Sequence, residues 1–177
     1  MGRILHWLDQ LEQDEEFQNL LVCEQFVRLH GEKVSFPRLT VGIAVLPETF
    51  EKIRAANGSP PLAAVPPDQD ALEFELAFAG RFLPTPRLDI LTTKAPGGEG
   101  AIARFLEKFG EGIQQVEIDV TDADRATEIL RTRFSLDPIY PATRPGANRT
   151  RVNFFLAAAQ NGKKVLIELV EQPNNVS

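Results

Sequence analysis

The sequence predicts an α+β fold: two paired βαβββ modules forming an open groove, preceded by an N-terminal helical arm. Two observations predict it. The order strand, helix, strand, strand, strand can be read twice along the chain, and the ends of the two units match in their letters. Thr40-Val-Gly-Ile-Ala-Val45 matches Gln115-Val-Glu-Ile-Asp-Val120, 75 residues on, and Asp89-Ile-Leu matches Glu168-Leu-Val, 79 residues on. Similar spacing at both ends of a unit points to a duplication.

Composition bounds the class. The chain has 177 residues, 43% hydrophobic and 25% charged, as expected of a soluble globular protein. Its 25 acids against 19 bases give a net charge of −6, and no basic block with interleaved aromatics suggests a nucleic-acid surface. The single cysteine, Cys23, rules out an internal disulfide framework and fits a reducing compartment. The start, MGRILHWLDQLEQDEE, lacks a signal-peptide apolar core, and no apolar run has the length of a membrane span. The expectation is a cytoplasmic protein with no nucleic-acid or membrane partner.

Residues 1–36 read as the helical arm. Ile4, Trp7, Leu8 and Leu11 have helical spacing. Asp14 is placed to cap a second helix carrying Phe17, Leu20, Leu21 and Val27 inward and ending at Gly31. His6 and His30 lie beside these stripes with no second ligand at metal spacing, so a surface or capping role is expected of both. Residues 37–93 form the first module. It has a strand over 39–45, a helix over 48–57 stopped by Asn57-Gly58, and a proline-rich extended stretch over 60–67, an edge strand at most. Strands over 72–78 and 87–92 complete it, with Leu72, Phe74, Leu76 and Phe78 on one face of the former and Glu73 and Glu75 on the other.

Residues 94–112 form a linker loop and helix. Gly97-Gly98-Glu99-Gly100 lacks the strand and Lys-Ser/Thr context of a phosphate loop, and Ile102, Phe105, Leu106 and Phe109 form a helix face stopped by Gly110. Residues 113–177 form the second module, whose first strand reaches back to Gly112. A helix over 124–134, an extended 138–141, a polar loop over 143–150 and a strand over 152–156 follow, then a turn at Asn161-Gly162 and a last strand over 165–171. In that strand Val165, Ile167 and Leu169 point one way and Leu166, Glu168 and Val170 the other. Glu168 therefore sits among apolar neighbours, where a carboxylate is costly unless it serves a ligand.

If the two modules pack their valines and isoleucines on their helices, the opposite faces curve around a shared groove. Thr40, Asp89, Gln115 and Glu168 then line it, with Glu73, Glu75 and Glu117 nearby. Arg144, Arg149 and Arg151 flank a glycine in the polar loop, where a guanidinium can hold a substrate phosphate or carboxylate, Arg149 first among them.

GEGIQQVEIDVTD and RPGANRTRVNFFLAAAQNGKKVLIELVEQP resemble the second half of methylmalonyl-CoA epimerases, in the vicinal oxygen chelate superfamily of glyoxalases and bleomycin-resistance proteins. The resemblance is best over residues 101–173, weaker over 37–93 and absent over 1–36. It implies paired βαβββ modules and a four-ligand metal site at Thr40, Asp89, Gln115 and Glu168. In epimerases and glyoxalases histidine usually stands where this chain has Thr40 and Gln115. Such an all-oxygen set prefers Mg²⁺, Mn²⁺ or Ca²⁺ over Zn²⁺ or Co²⁺. Without those histidines the cofactor is such an ion or none. The resemblance also implies a glutamate base on the first module, at Glu73 or Glu75, with Glu168 as a further catalytic candidate; Arg149, in the Gly-Ala-Asn-Arg run, and Glu117, in the groove, are the candidate substrate-binding residues. It implies an epimerase, isomerase or lyase acting on a small oxo-acid or acyl thioester, and a homodimer. The alternatives are a small-molecule-binding module that has lost the metal, and a mainly structural dimer.

Overall fold

In the computed structural model, residues 11, 13–27, 31–66, 69–77, 87–158 and 164–173 are described. The helix expected over residues 3–12 (Leu11 apart), His6, His30, Phe78 and the turn at Asn161-Gly162 lie outside them. The main body is one seven-stranded sheet in the order β4-β5-β3-β6-β9-β8-β7. Its strands are β3 (Leu39–Ala44), β4 (Ala71–Leu76), β5 (Arg87–Thr93), β6 (Gly112–Val120), β7 (Arg144–Pro145), β8 (Arg151–Ala158) and β9 (Lys164–Glu171). The α+β architecture is the one expected, and a duplication is visible in its register. Within each module the first and last strands run parallel, β3 with β5 and β6 with β9, so that Gly42 lies beside Asp89 and Glu117 beside Glu168. At the centre β3 and β6 run antiparallel, with Gly42 opposite Gln115 and Thr40 opposite Glu117. The pairing is that of two like units related by an approximate two-fold axis near Val41 and Val116.

Alternation along the strands gives the sheet two chemically different faces. The outer face packs on helices. Helix α4 (Ala123–Phe134) lays Ala123, Ala126, Ile129 and Leu130 on Ile118, Val120, Phe155, Ile167 and Leu169. It starts where the Asp122 carboxylate accepts the Arg125 N–H at 2.9 Å and stops at Ser135 in the left-handed region. Helix α2 (Pro47–Ala56) begins on a proline at its first position and seats Phe50 on Phe74 and Ile90, the two rings edge to face at 4.8 Å. Helix α3 (Ala101–Phe109) instead packs Ile102 and Leu106 on Ala44, Ala71 and Leu91, on the inner face, and so closes one end of the groove. Gly110, at φ 74°, ends it as expected.

Three expectations are corrected. The helix capped by Asp14 is only α1 (Glu15–Leu20), and the arm continues as a hairpin of β1 (Cys23–Val27) and β2 (Lys33–Pro37). Phe17, Leu20, Leu21 and Val27 fit a helical period, but Cys23, Gln25 and Val27 face solvent while Glu24 and Phe26 turn inward, which is a strand's period. Phe26 and Phe36 then meet edge to face at 6.0 Å across the hairpin. Residues 60–66 form no strand, although the Ala63 N–H reaches the Glu73 carbonyl. The described first module therefore has three strands rather than four, because prolines at 60, 61 and 66 deny the ladder its donors. The short strand before β8 is Arg144–Pro145, inside the stretch read as a loop, and the residues from Pro138 contribute one bridge to Phe155. Among the described residues no helix is long and apolar enough to cross a membrane.

Phe50 is fully buried and Phe109 is 59% exposed. Phe50→Ala is expected to lower the unfolding free energy by about 3–5 kcal/mol, against about 0.5 kcal/mol or less for Phe109→Ala, read from urea unfolding followed by circular dichroism.

Candidate functional site

The inner face of the sheet curves around a cavity of about 1040 Å³. Thr40, Asp89, Gln115 and Glu168 all line it, as do Glu73, Glu75 and Glu117, so the sequence-derived groove residues converge. In the order of the sheet Glu73 on β4 and Glu168 on β9 stand four strands apart, roughly 19 Å if the sheet were flat. Yet each charge is felt by the acids opposite, because the sheet curls.

At the centre, the Gln115 amide donates to Glu168 Oε2 at 2.6 Å and to Glu117 Oε1 at 3.0 Å. Gly42 makes room for it. A Cβ on Gly42 would stand 2.5 Å from the Gln115 Cγ, so the glutamine chain lies directly over the backbone of β3. A bulge adjoins this point: Gly42 faces Gln115 but Ile43 faces Ile113, which leaves Gln114 as the extra residue, also turned to the cavity.

The electrostatics follow from packing acids together away from water. Glu73 is raised to about 7, by burial and then by the charge of Glu117. Glu117 also reaches about 7 through burial, with the Gln115 hydrogen bond opposing the rise. Asp89 and Glu168 are held well above the ordinary carboxylate range. Burial is the main cause for both, followed by Glu73 and Glu117 for Asp89 and by Glu117 and Glu73 for Glu168. Near neutral pH the cluster shares its protons, and its titration belongs to the group rather than to single residues.

A resident metal ion needs convergent lone pairs. Among the described residues no three His, Cys, Asp or Glu side chains come together in that way. Gln115 turns its NH₂, which has no lone pair to give, toward the two carboxylates, and rotating the amide would set its oxygen against theirs. The donor set of Thr40, Asp89, Gln115 and Glu168 in this arrangement does not fit a metal ion.

Arg149 is exposed and absent from the cavity wall. Arg144, from the same loop, lines the cavity and stacks on Tyr140 at 4.7 Å. Arg151 lies on the outside with Asp124 and Glu171. The loop itself is tied across the groove mouth. Asn148 accepts the Ala64 N–H through its side chain at 2.9 Å and gives its own N–H to the Ala64 carbonyl at 3.0 Å. Sequence reasoning missed Arg38, Arg87 and Asp119 as cavity residues. The signal was present: Asp119 is two residues beyond Glu117 and Arg87 two before Asp89, so each shares a strand face with a residue already placed in the groove.

No family model matches the chain, and no curated protein matches its sequence. Solved structures do. The chain is 30% identical to the methylmalonyl-CoA epimerase of Mycobacterium tuberculosis, over 77% of this chain and 88% of that one, with a TM-score of 0.61. A methylmalonyl-CoA epimerase in complex with methylmalonyl-CoA and NH₄⁺ is 25% identical over 76% and 93% of the two chains, TM-score 0.59. A variant of the Streptomyces coelicolor methylmalonyl-CoA epimerase, bound to 2-nitronate-propionyl-CoA, shares the fold at 24% identity and TM-score 0.61, over 76% and 93%.

Two outcomes are expected. Each clustered acid binds its proton more tightly folded than unfolded, so its contribution to stability is whole below the unfolded value of about 4.5 and is lost as pH rises through the folded value. The urea midpoint should fall from pH 5 to pH 8, with the Glu73 and Glu117 part complete just above 7, and Glu73→Gln should flatten the fall. Glu16 and Asp124, lowered by hydrogen bonds from Arg125 and Arg151, act oppositely and only in acid. Gly42→Ala should push Gln115 off Glu168 and cost about 1–3 kcal/mol of stability, and Gln115→Ala in the same background should relieve most of that loss.

Proposed function

Because this chain belongs to the vicinal oxygen chelate superfamily, the glyoxalase fold, we propose that it moves a proton at the carbon beside a carbonyl, as an epimerase or isomerase. The substrate class is a small acyl thioester or oxo-acid, supported by neighbours in complex with methylmalonyl-CoA and with 2-nitronate-propionyl-CoA. One observation carries the reading: carboxyl groups from both modules face one cavity, with Glu73 and Glu117 raised to about 7 and Glu168 held well above the ordinary carboxylate range by burial.

An α-proton beside a thioester is weakly acidic, and its removal needs a base that is ionised yet still holds a proton well. Glu73, near 7, meets both conditions at neutral pH. As a carboxylate it takes the α-proton, and the electrons of the C–H bond pass into the enolate. Glu168, on the other module and held well above the usual range by burial, retains a proton more readily than an ordinary carboxyl and returns one to the carbon from its own side. Delivery from the side opposite to removal inverts the centre. The Gln115 bridge sets the orientation of Glu168 and Glu117. Protonated Asp89 offers an O–H to the enolate oxygen, as a buried neutral acid can. Glu75, with its side chain 51% exposed and beside Arg87, is the weaker candidate base.

A second reading, a ligand-binding module without turnover, is favoured by a centre already satisfied through Gln115.

Incubating the protein with an acyl-CoA such as methylmalonyl-CoA in D₂O and following the α-proton by NMR separates the two. Wild type should exchange the proton, and Glu73→Gln and Glu168→Gln should each slow exchange about a hundredfold to ten-thousandfold. The rate should climb with pH through about 7, as the Glu73 and Glu117 group ionises, and stay within about twofold after EDTA treatment. Thermal stabilisation by the acyl-CoA with no exchange would support the binding module instead.

A further inference from the structure

We infer that Arg38 and Arg87 form a carboxylate-binding subsite at one end of the groove, filled in the free protein by Glu24 of the N-terminal hairpin. Both arginines line the cavity. Arg38 leads into β3 and Arg87 opens β5, the strand parallel to it, where Thr40 pairs with Arg87. Their side chains are only about a quarter exposed, 26% and 25%. A guanidinium that far from water needs its five N–H groups occupied.

Few of them are. Arg38 Nε lies 2.7 Å from Asp119 Oδ2 but is buried without an aligned hydrogen bond among the described residues, and its contact to Glu24 is 3.8 Å long. Arg87 donates to Glu24 Oε1 at 2.8 Å and stands 3.6 Å from Glu75. The one Glu24 oxygen therefore stands between both guanidinium groups, at the point where two planar forks can share an incoming carboxylate.

Glu24 is also the member of this network that can leave. It belongs to the separate two-stranded sheet of the arm and its side chain is 41% exposed, whereas Asp119 comes from the central strand β6 and is 9% exposed. Asp119 is fixed further by Gln172 at 3.2 Å. A substrate carboxylate that displaces Glu24 gains two guanidinium groups with donors to spare, and Glu24 gains water. The subsite rests on the reading of the groove as a site for acids and acyl thioesters, and it narrows that class to substrates carrying a free carboxylate besides the reacting carbonyl.

Titration calorimetry with malonate, and with neutral malonamide as control, tests the subsite without any turnover. Malonate should bind wild type and malonamide should not. Arg87→Gln and Arg38→Gln should each weaken malonate about tenfold or more, with Arg87→Lys intermediate. Glu24→Gln should tighten malonate about threefold or more, since the internal competitor loses its charge. Urea midpoints establish that each variant is folded, and Arg87→Gln suffices should Arg38→Gln fail to fold. Failure of malonate to bind, the same affinity in wild type and Arg87→Gln, or weaker binding by Glu24→Gln overturns the inference. Malonate bound through the arginines without α-proton exchange would leave the subsite standing and remove the catalytic reading, and exchange with arginine-independent malonate binding would do the reverse.

Discussion

Burying carboxyl groups next to one another is among the least favourable things a fold can do, and here Glu73, Asp89, Glu117, Asp119 and Glu168 share one concave face. Each loses hydration and meets its neighbours' charge, so the cluster is tolerated by keeping part of its protons and by enlisting few donors. Gln115 serves two acids with one amide, and Arg38 serves Asp119. The remainder of the molecule can be understood as the scaffold that holds those groups together. Among the described residues four helices contribute to the apolar clusters on the sheet, and alternation sends every acid of the cluster inward.

The scaffold is built on the antiparallel contact of β3 with β6. That contact joins two like modules edge to edge in one sheet, and its register decides which residues from each module stand beside one another. Duplication alone would make the two halves chemically equal. They are not: where the second module has Glu117 beside Glu168, the first has Gly42 beside Asp89. The missing side chain at Gly42 is the space that Gln115 fills, so the departure from symmetry creates the central hydrogen-bonded unit.

The N-terminal arm enters the same logic. It adds a hairpin outside the seven-stranded sheet, and its attachments to the body are specific rather than merely apolar. Val22 gives its N–H to the Asp119 carbonyl, Arg38 gives its own to Val22, and Glu24 reaches both arginines of the groove wall. The segment with no resemblance to the family at the level of sequence is thus the one that supplies an acid to the edge of the shared groove.

Much of the fold was legible because its periods are short-range. The faces of β4 and β9 followed from alternation at Glu73, Glu75 and Glu168, and the end of α3 followed from Gly110. The duplication was visible in Thr40 against Gln115 and in Asp89 against Glu168. Residues 21–27 misled because a helical and a strand period overlap over seven residues, and only pairing with residues 33–37 decides between them. Convergence of the named side chains could be proposed from the repeat, since strand order and alternation fix the face. Three things belonged to the tertiary structure. The direction of the Gln115 amide is set by two acids distant in sequence, and the turning outward of Arg149 in favour of Arg144 is set by a loop pinned to Ala64. The proton affinities of the buried acids depend on distances across a curled sheet, which no local pattern encodes.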